Sequence, residues 1–131
     1  MKRIALAVLA IFVAWSVLDF VIHGLILKST YEATAQLWRP MEEMKMGILY
    51  LAVLVNALAF VWIYAGFFAD RGIASGLKYG LVYGLGTGFS MGFGTYSFMP
   101  IPVYLAAVWF FGTLVETLVG GVIVGSIIRK S

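Results

Sequence analysis

The chain has 131 residues, of which 63% are hydrophobic and only 11% charged, with a net charge of +3. A soluble domain is about half apolar and about a quarter charged, so a water-soluble core of this size is excluded and lipid must be the solvent. The nine basic residues are scattered around hydrophobic segments, which excludes a nucleic-acid face, and the absence of cysteine excludes disulfides, thiolate metal sites and thiol catalysis.

A membrane-crossing helix needs about 20 mostly apolar residues. Four segments qualify: Ile4–Leu27, Met46–Ala69, Leu77–Met99 and Val103–Ile128. They predict an all-α bundle of four transmembrane helices forming a single integral membrane domain over residues 1–131. The start, Met1-Lys2-Arg3 before an apolar run, imitates a signal peptide. A retained helix is expected instead, because the run continues past Asp19 to Leu27 without a small-x-small cleavage site.

Residues 28–45 form the only sizeable segment outside lipid. Ser29 and Glu32 have capping-box spacing, which predicts a short helix from Thr30. Leu37 and Trp38 would rest at the headgroup level. Pro40 suits the first turn of the next helix, with Glu42 and Glu43 at its dipole-favoured end. The segment reads as a structural corner, or as an amphipathic lid or docking surface.

The third span carries glycine at every fourth position: Gly72, Gly76, Gly80, Gly84, Gly88 and Gly92. In water such a helix would be poor, since each interior glycine costs about 1 kcal/mol relative to alanine. In lipid the row makes a groove into which another helix presses its backbone. The pattern predicts a glycine zipper. The fourth span offers two matching stripes, Gly112, Glu116 and Gly120, and next to it Thr113, Thr117, Gly121 and Gly125. The short Pro100-Ile101-Pro102 turn would join the two spans as an antiparallel hairpin. A homo-oligomeric seam is the alternative use, and Gly86 and Gly94 lie on other faces.

Lys2, Arg3, Arg71, Lys78, Arg129 and Lys130 would share one side of the membrane. Lys28, Arg39 and Lys45 lie opposite, mixed with Glu32, Glu42 and Glu43. The positive-inside rule then puts both termini in the cytoplasm and the protein in the cell's inner membrane.

Polar groups inside the spans are few and mark function. Asp19 and His23 lie four apart and share a face. Asn56 lies in the second span and Glu116 in the fourth. At 1.5 Å per residue, Asp19 sits about 22 Å and His23 about 28 Å from the cytoplasmic end. Asn56 and Glu116 lie about 15 Å and 20 Å below the outer surface, respectively. The ladder of His23, Asp19, Asn56 and Glu116 forms an outward-facing cup. These four are the candidate ion, proton or ligand site. Each also has a structural reading: an i,i+4 pair for Asp19 and His23, a helix–helix hydrogen bond for Asn56, and a protonated, hydrogen-bonded Glu116. Asp19, His23 and Glu116 are the candidate metal ligands, but one histidine with two acids at different depths does not predict a metal. No cofactor is expected. Trp15, Trp38, Trp62 and Trp109 read as belt or packing residues.

The four spans, membrane carboxylates and glycine packing are similar in architecture to the small multidrug transporters. That family keeps its essential glutamate in the first helix; here the first helix has Asp19 and the glutamate is in the fourth, so no function carries over. Leu18-Asp19-Phe20-Val21-Ile22-His23-Gly24 and Leu37-Trp38-Arg39-Pro40 resemble a pattern in uncharacterised bacterial four-helix inner-membrane proteins. That resemblance covers about a third of the chain and implies no activity.

Three functions fit. The first is an oligomeric transporter or permeation protein coupled to a proton or cation through Glu116, with Asp19 and His23 at the entry. The second is a non-catalytic membrane subunit or scaffold docking through its glycine faces. The third is an intramembrane metal or redox enzyme subunit.

Overall fold

The computed structural model describes residues 1–68 and 72–129, and every regular element among them is helical. Helix α1 (Lys2–Asp19) runs without a break into a π-helical segment, Phe20–Ile26. A short α2 (Lys28–Ala33) and two 3₁₀ turns, Ala35–Leu37 and Met41–Glu43, lead to α3 (Met46–Phe67). Helix α4 (Gly72–Phe89) also ends in a π-helical segment, Ser90–Gly94, and α5 (Val103–Ile127) follows.

Three helices are long and apolar enough to cross a membrane: Lys2–Ile26, Met46–Phe67 and Val103–Ile127. Helix α4 is not among them, since its glycines and Lys78 dilute its apolar content. The three long helices have no side-chain cap at their N-termini. Large apolar side chains such as Val17, Ile48, Leu51, Val82 and Phe111 cover the outside, together with Trp62. The expected basic residues Arg71 and Lys130, and Ala69 at the expected end of the second span, lie outside the described residues.

The segment between α1 and α3 departs from expectation in two ways. Helix α2 begins at Lys28, not Thr30, and no capping-box bond forms. The chain turns within one residue, Leu27 (φ −95°, ψ 4°), and the Leu27 carbonyl accepts the Tyr31 N–H at 2.9 Å. A backbone bond thus does the work expected of Ser29. Pro40 is extended and opens the Met41–Glu43 turn, while α3 waits until Met46, where the apolar run begins.

Helix α5 is the hub, packing against both α1 and α4. Its two small-residue stripes serve different neighbours, which corrects the expectation that both match the glycine row. Thr113, Thr117, Gly121 and Gly125 face α4. A Cβ added at Gly76 would overlap the Gly121 carbonyl oxygen, and one at Gly80 the Thr117 carbonyl oxygen. At Gly84 it would meet the Thr117 hydroxyl. At Gly88 and Gly92 it would stand 3.0 Å and 2.5 Å from the carbonyl oxygens of Phe110 and Ala106. Gly72 differs from the other five. Its φ of +76° starts the helix and its own Cβ position is open, though its carbonyl accepts the Tyr64 hydroxyl at 3.0 Å. Left-handed backbone of this kind is what glycine alone adopts freely.

The other stripe faces α1. Gly112 lies against Ile22, and Gly120 is enclosed by Phe60 and Trp15. Between them the Glu116 carbonyl accepts the Trp15 indole N–H at 2.6 Å. Phe60 and Tyr64 of α3 meet Tyr79 and Tyr83 of α4 in an aromatic cluster, and the Tyr79 hydroxyl donates to the Phe60 carbonyl at 2.6 Å. A second core, of Ile22, Leu27, Ile101, Leu105 and Ala106, pins the 28–45 segment to the start of α5.

Candidate functional site

Asp19 ends α1, and His23 stands four residues on, inside the π-helical segment. The wider π turn changes the direction of the side chains that follow it, and such segments gather at functional sites. His23 Nε2 lies 3.9 Å from Asp19 Oδ1. On its other side, His23 Nδ1 is 2.7 Å from the Tyr31 hydroxyl, and the two rings stack with centroids 5.9 Å apart. The Trp109 indole N–H donates to the same hydroxyl oxygen at 2.8 Å.

These contacts fit one tautomer. With Trp109 donating to the Tyr31 oxygen, the phenolic proton is free to go to His23 Nδ1. The imidazole proton is then on Nε2, aimed at Asp19. Burial pushes the Tyr31 phenol above its ordinary value of 10.0. The Trp109 hydrogen bond pulls it back in part, and the Asp19 charge adds to the rise. Tyr31 is therefore a hydrogen-bond donor throughout the neutral range.

Trp38 braces this arrangement. Its indole donates to Thr34 Oγ1 at 2.8 Å, and its ring meets Tyr31 and Trp109 edge-on. Thr34 in turn donates to the Thr30 carbonyl at 2.8 Å.

Glu116 completes the row. Trp109, Gly112, Glu116 and Gly120 recur at helical spacing and so share one face of α5. That face turns to α1: Trp15 and Ile22, on either side of Asp19 at helical spacing, meet the Glu116 carbonyl and Gly112, which sets Asp19 beside Glu116. Two carboxyls set side by side can hydrogen-bond only when one of them carries a proton. The sequence-based depths left Asp19 and Glu116 a turn or more apart; the packing of α1 on α5 closes that gap. The site is thus a continuous row: Trp109, Tyr31, His23, Asp19, Glu116. The Asp19 and His23 side chains are 32% and 43% exposed, so the row opens to the surroundings at the α2 end.

Asn56 does not join it. Its Oδ1 accepts the Tyr83 hydroxyl at 2.7 Å, a bond between α3 and α4. It borders a separate groove with Gly86, Thr87 and Ser90. Of the four expected site residues, three come together and one does not. Among the described residues, no group of three or more His, Cys, Asp or Glu side chains is placed to hold a metal ion.

Sequence reasoning missed Tyr31, and it read Trp109, Trp38 and Trp15 only as belt or packing residues. Trp109 lies seven residues, two helical turns, before Glu116, and that spacing was the available signal. Nothing local points to Tyr31. No protein family, curated protein or solved structure matches the chain.

Proposed function

We propose that this is a four-span inner-membrane protein that exchanges a proton or a monovalent cation at the Asp19–Glu116 pair, coupled to transport. The observation carrying this reading is the placement of Asp19 and Glu116 on facing sides of α1 and α5, next to His23. Two such groups in a low-dielectric bundle hold one proton between them more cheaply than they hold two charges. A small cation takes the proton's place without changing the total charge. Tyr31 and His23 form the entry: Tyr31 passes its proton to Nδ1, Nε2 releases one toward Asp19, and Tyr31 is reprotonated from outside. The 3.9 Å gap calls for a small imidazole rotation or one bridging water.

A parity argument supports four spans. Arg3 Nη1 donates to the Arg129 carbonyl at 3.2 Å, so the start of α1 and the end of α5 lie together. Three crossings would separate these ends, whereas a fourth crossing by α4 and its π-helical extension keeps them on one side. The basic residues at that end make it cytoplasmic. The scaffold reading loses its motivating surface, because Gly76, Gly80, Gly84, Gly88 and Gly92 already lie against α5. We retain a homo-oligomer as the working form, and native mass spectrometry of gently extracted protein tests it.

The functional test is proton entry into liposomes that carry the purified protein and a trapped pH indicator, driven by a potassium diffusion potential. The wild type should accelerate acidification, and Glu116→Gln and Asp19→Asn should bring it to the protein-free rate. Unchanged flux in Glu116→Gln would remove the role given to the pair. A wild type no faster than empty liposomes would turn attention to the scaffold reading.

A further inference from the structure

The end of the bundle opposite the acid row carries a second site. Arg3, Leu6, Ser126, Ile127 and Arg129 line an open groove of about 340 Å³ between the first turns of α1 and the last turn of α5. Both arginines line it, and the Arg3 guanidinium is held there by donating to the Arg129 backbone carbonyl at 3.2 Å. Among the described residues the one ion pair is His23 with Asp19, and neither arginine meets a carboxylate. Arg3 lies twenty residues before His23 on a continuous helix, about 30 Å away.

We propose that this groove holds the phosphate of an anionic phospholipid. The inference rests on the membrane reading but not on the acid pair. A guanidinium has five N–H donors in a planar fork, and Arg3 has one engaged with the Arg129 carbonyl. The remaining donors of the Arg3 fork match phosphate oxygens in a bidentate manner. An anion held there offsets the positive charge that the two arginines bring to the groove. The Ser126 hydroxyl proton is already donated to the Val122 carbonyl at 2.7 Å, so the arginines alone supply the recognition. Leu6, 56% exposed, and Ile127 extend the groove as an apolar wall. Free phosphate has no use for such a wall, whereas the glycerol and upper acyl chain of a lipid lie along it. Basic pockets between membrane helices at a cytoplasmic surface bind headgroups of this class.

The test uses the full-length protein in neutral detergent, offered equal amounts of dioleoyl phosphatidylglycerol and dioleoyl phosphatidylcholine, with bound lipid read by native mass spectrometry. The wild type should prefer phosphatidylglycerol by about tenfold or more, because both lipids carry the phosphate but the choline cation of the second stands as a like charge beside the arginines. Arg3→Gln or Arg129→Gln should bring the preference close to one, and Arg3→Lys should keep part of it. Lys2→Gln removes the same charge next door and should leave the preference intact. Equal retention of the two lipids by the wild type overturns the proposal. So does an equal loss in Lys2→Gln, which would reduce the effect to bulk charge. Displacement of the lipid by excess inorganic phosphate would overturn the lipid assignment in favour of a free-anion site. If Arg3→Gln does not fold, the wild-type competition decides alone.

Discussion

Tyr31 is the residue on which the site turns, because one oxygen serves both Trp109 and His23. Tyr31→Phe keeps the ring against Trp38 but leaves an indole N–H and an imidazole nitrogen without partners. A loss of about 1–3 kcal/mol follows, read as a lower unfolding midpoint in detergent, while Trp62→Phe on the outer surface should change little. The pH dependence has a definite sign. The folded value lies above the ordinary 10.0, so the Tyr31 contribution is fully present below pH 10 and fades only as the pH rises through the folded value. Tyr31→Phe should therefore cost the same at pH 6 as at pH 9 as far as the phenol's own ionisation is concerned. Asp19, His23 and Glu116 were legible as candidates because a charge inside an apolar run is conspicuous. Their partners were not. Trp109 and Tyr31 are 78 residues apart in the chain, and a tryptophan near a span end has a membrane-belt explanation that hides a hydrogen bond.

Among the helices, the α4–α5 contact is the closest, since at Gly76, Gly80 and Gly92 backbone meets backbone. Gly80→Ala would push a methyl group into the Thr117 carbonyl and force the helices apart. A loss of about 3 kcal/mol is expected, at the upper end for overpacking. Gly86→Ala meets nothing within 4 Å and should be neutral, or gain up to about 1 kcal/mol in helix propensity. Thermal unfolding of the two variants side by side checks the contrast; equal behaviour would contradict the close packing. The glycine row itself was legible from its spacing. Which stripe of α5 received it was not, because both stripes are rich in small residues. The choice is made by what α1 presents: Trp15 and Ile22 need the space over Gly120 and Gly112. The expected cap at Ser29 failed for a similar reason, since a tight turn at Leu27 brought the backbone carbonyl to the place first.

At the scale of the molecule, the chain's lack of cysteine makes topology directly measurable. Single cysteines at Lys2 and Glu42 should react with a membrane-impermeant maleimide from opposite sides, Glu42→Cys in right-side-out vesicles and Lys2→Cys in inverted ones. Labelling of both from the same side would contradict the four-span arrangement. Three of the four expected spans were the most legible property, because apolar length is nearly sufficient for them, while α4 falls short on that measure. Least legible was the assembly order in space, which depends on pairings between distant helices.

That order bears on how the protein is made. Helix α5 supplies one stripe to α1 and the other to α4, and it is the last of the described helices to leave the ribosome. Until it docks, the five packed glycines of α4 have no partner helix, and Asp19 has no Glu116 beside it. A chain shortened before α5 should keep the α1–α3 packing and the α3–α4 aromatic cluster but lack both small-residue seams. A stalled or shortened chain would leave all of its small-residue faces uncovered at once, a ready target for membrane quality-control proteases.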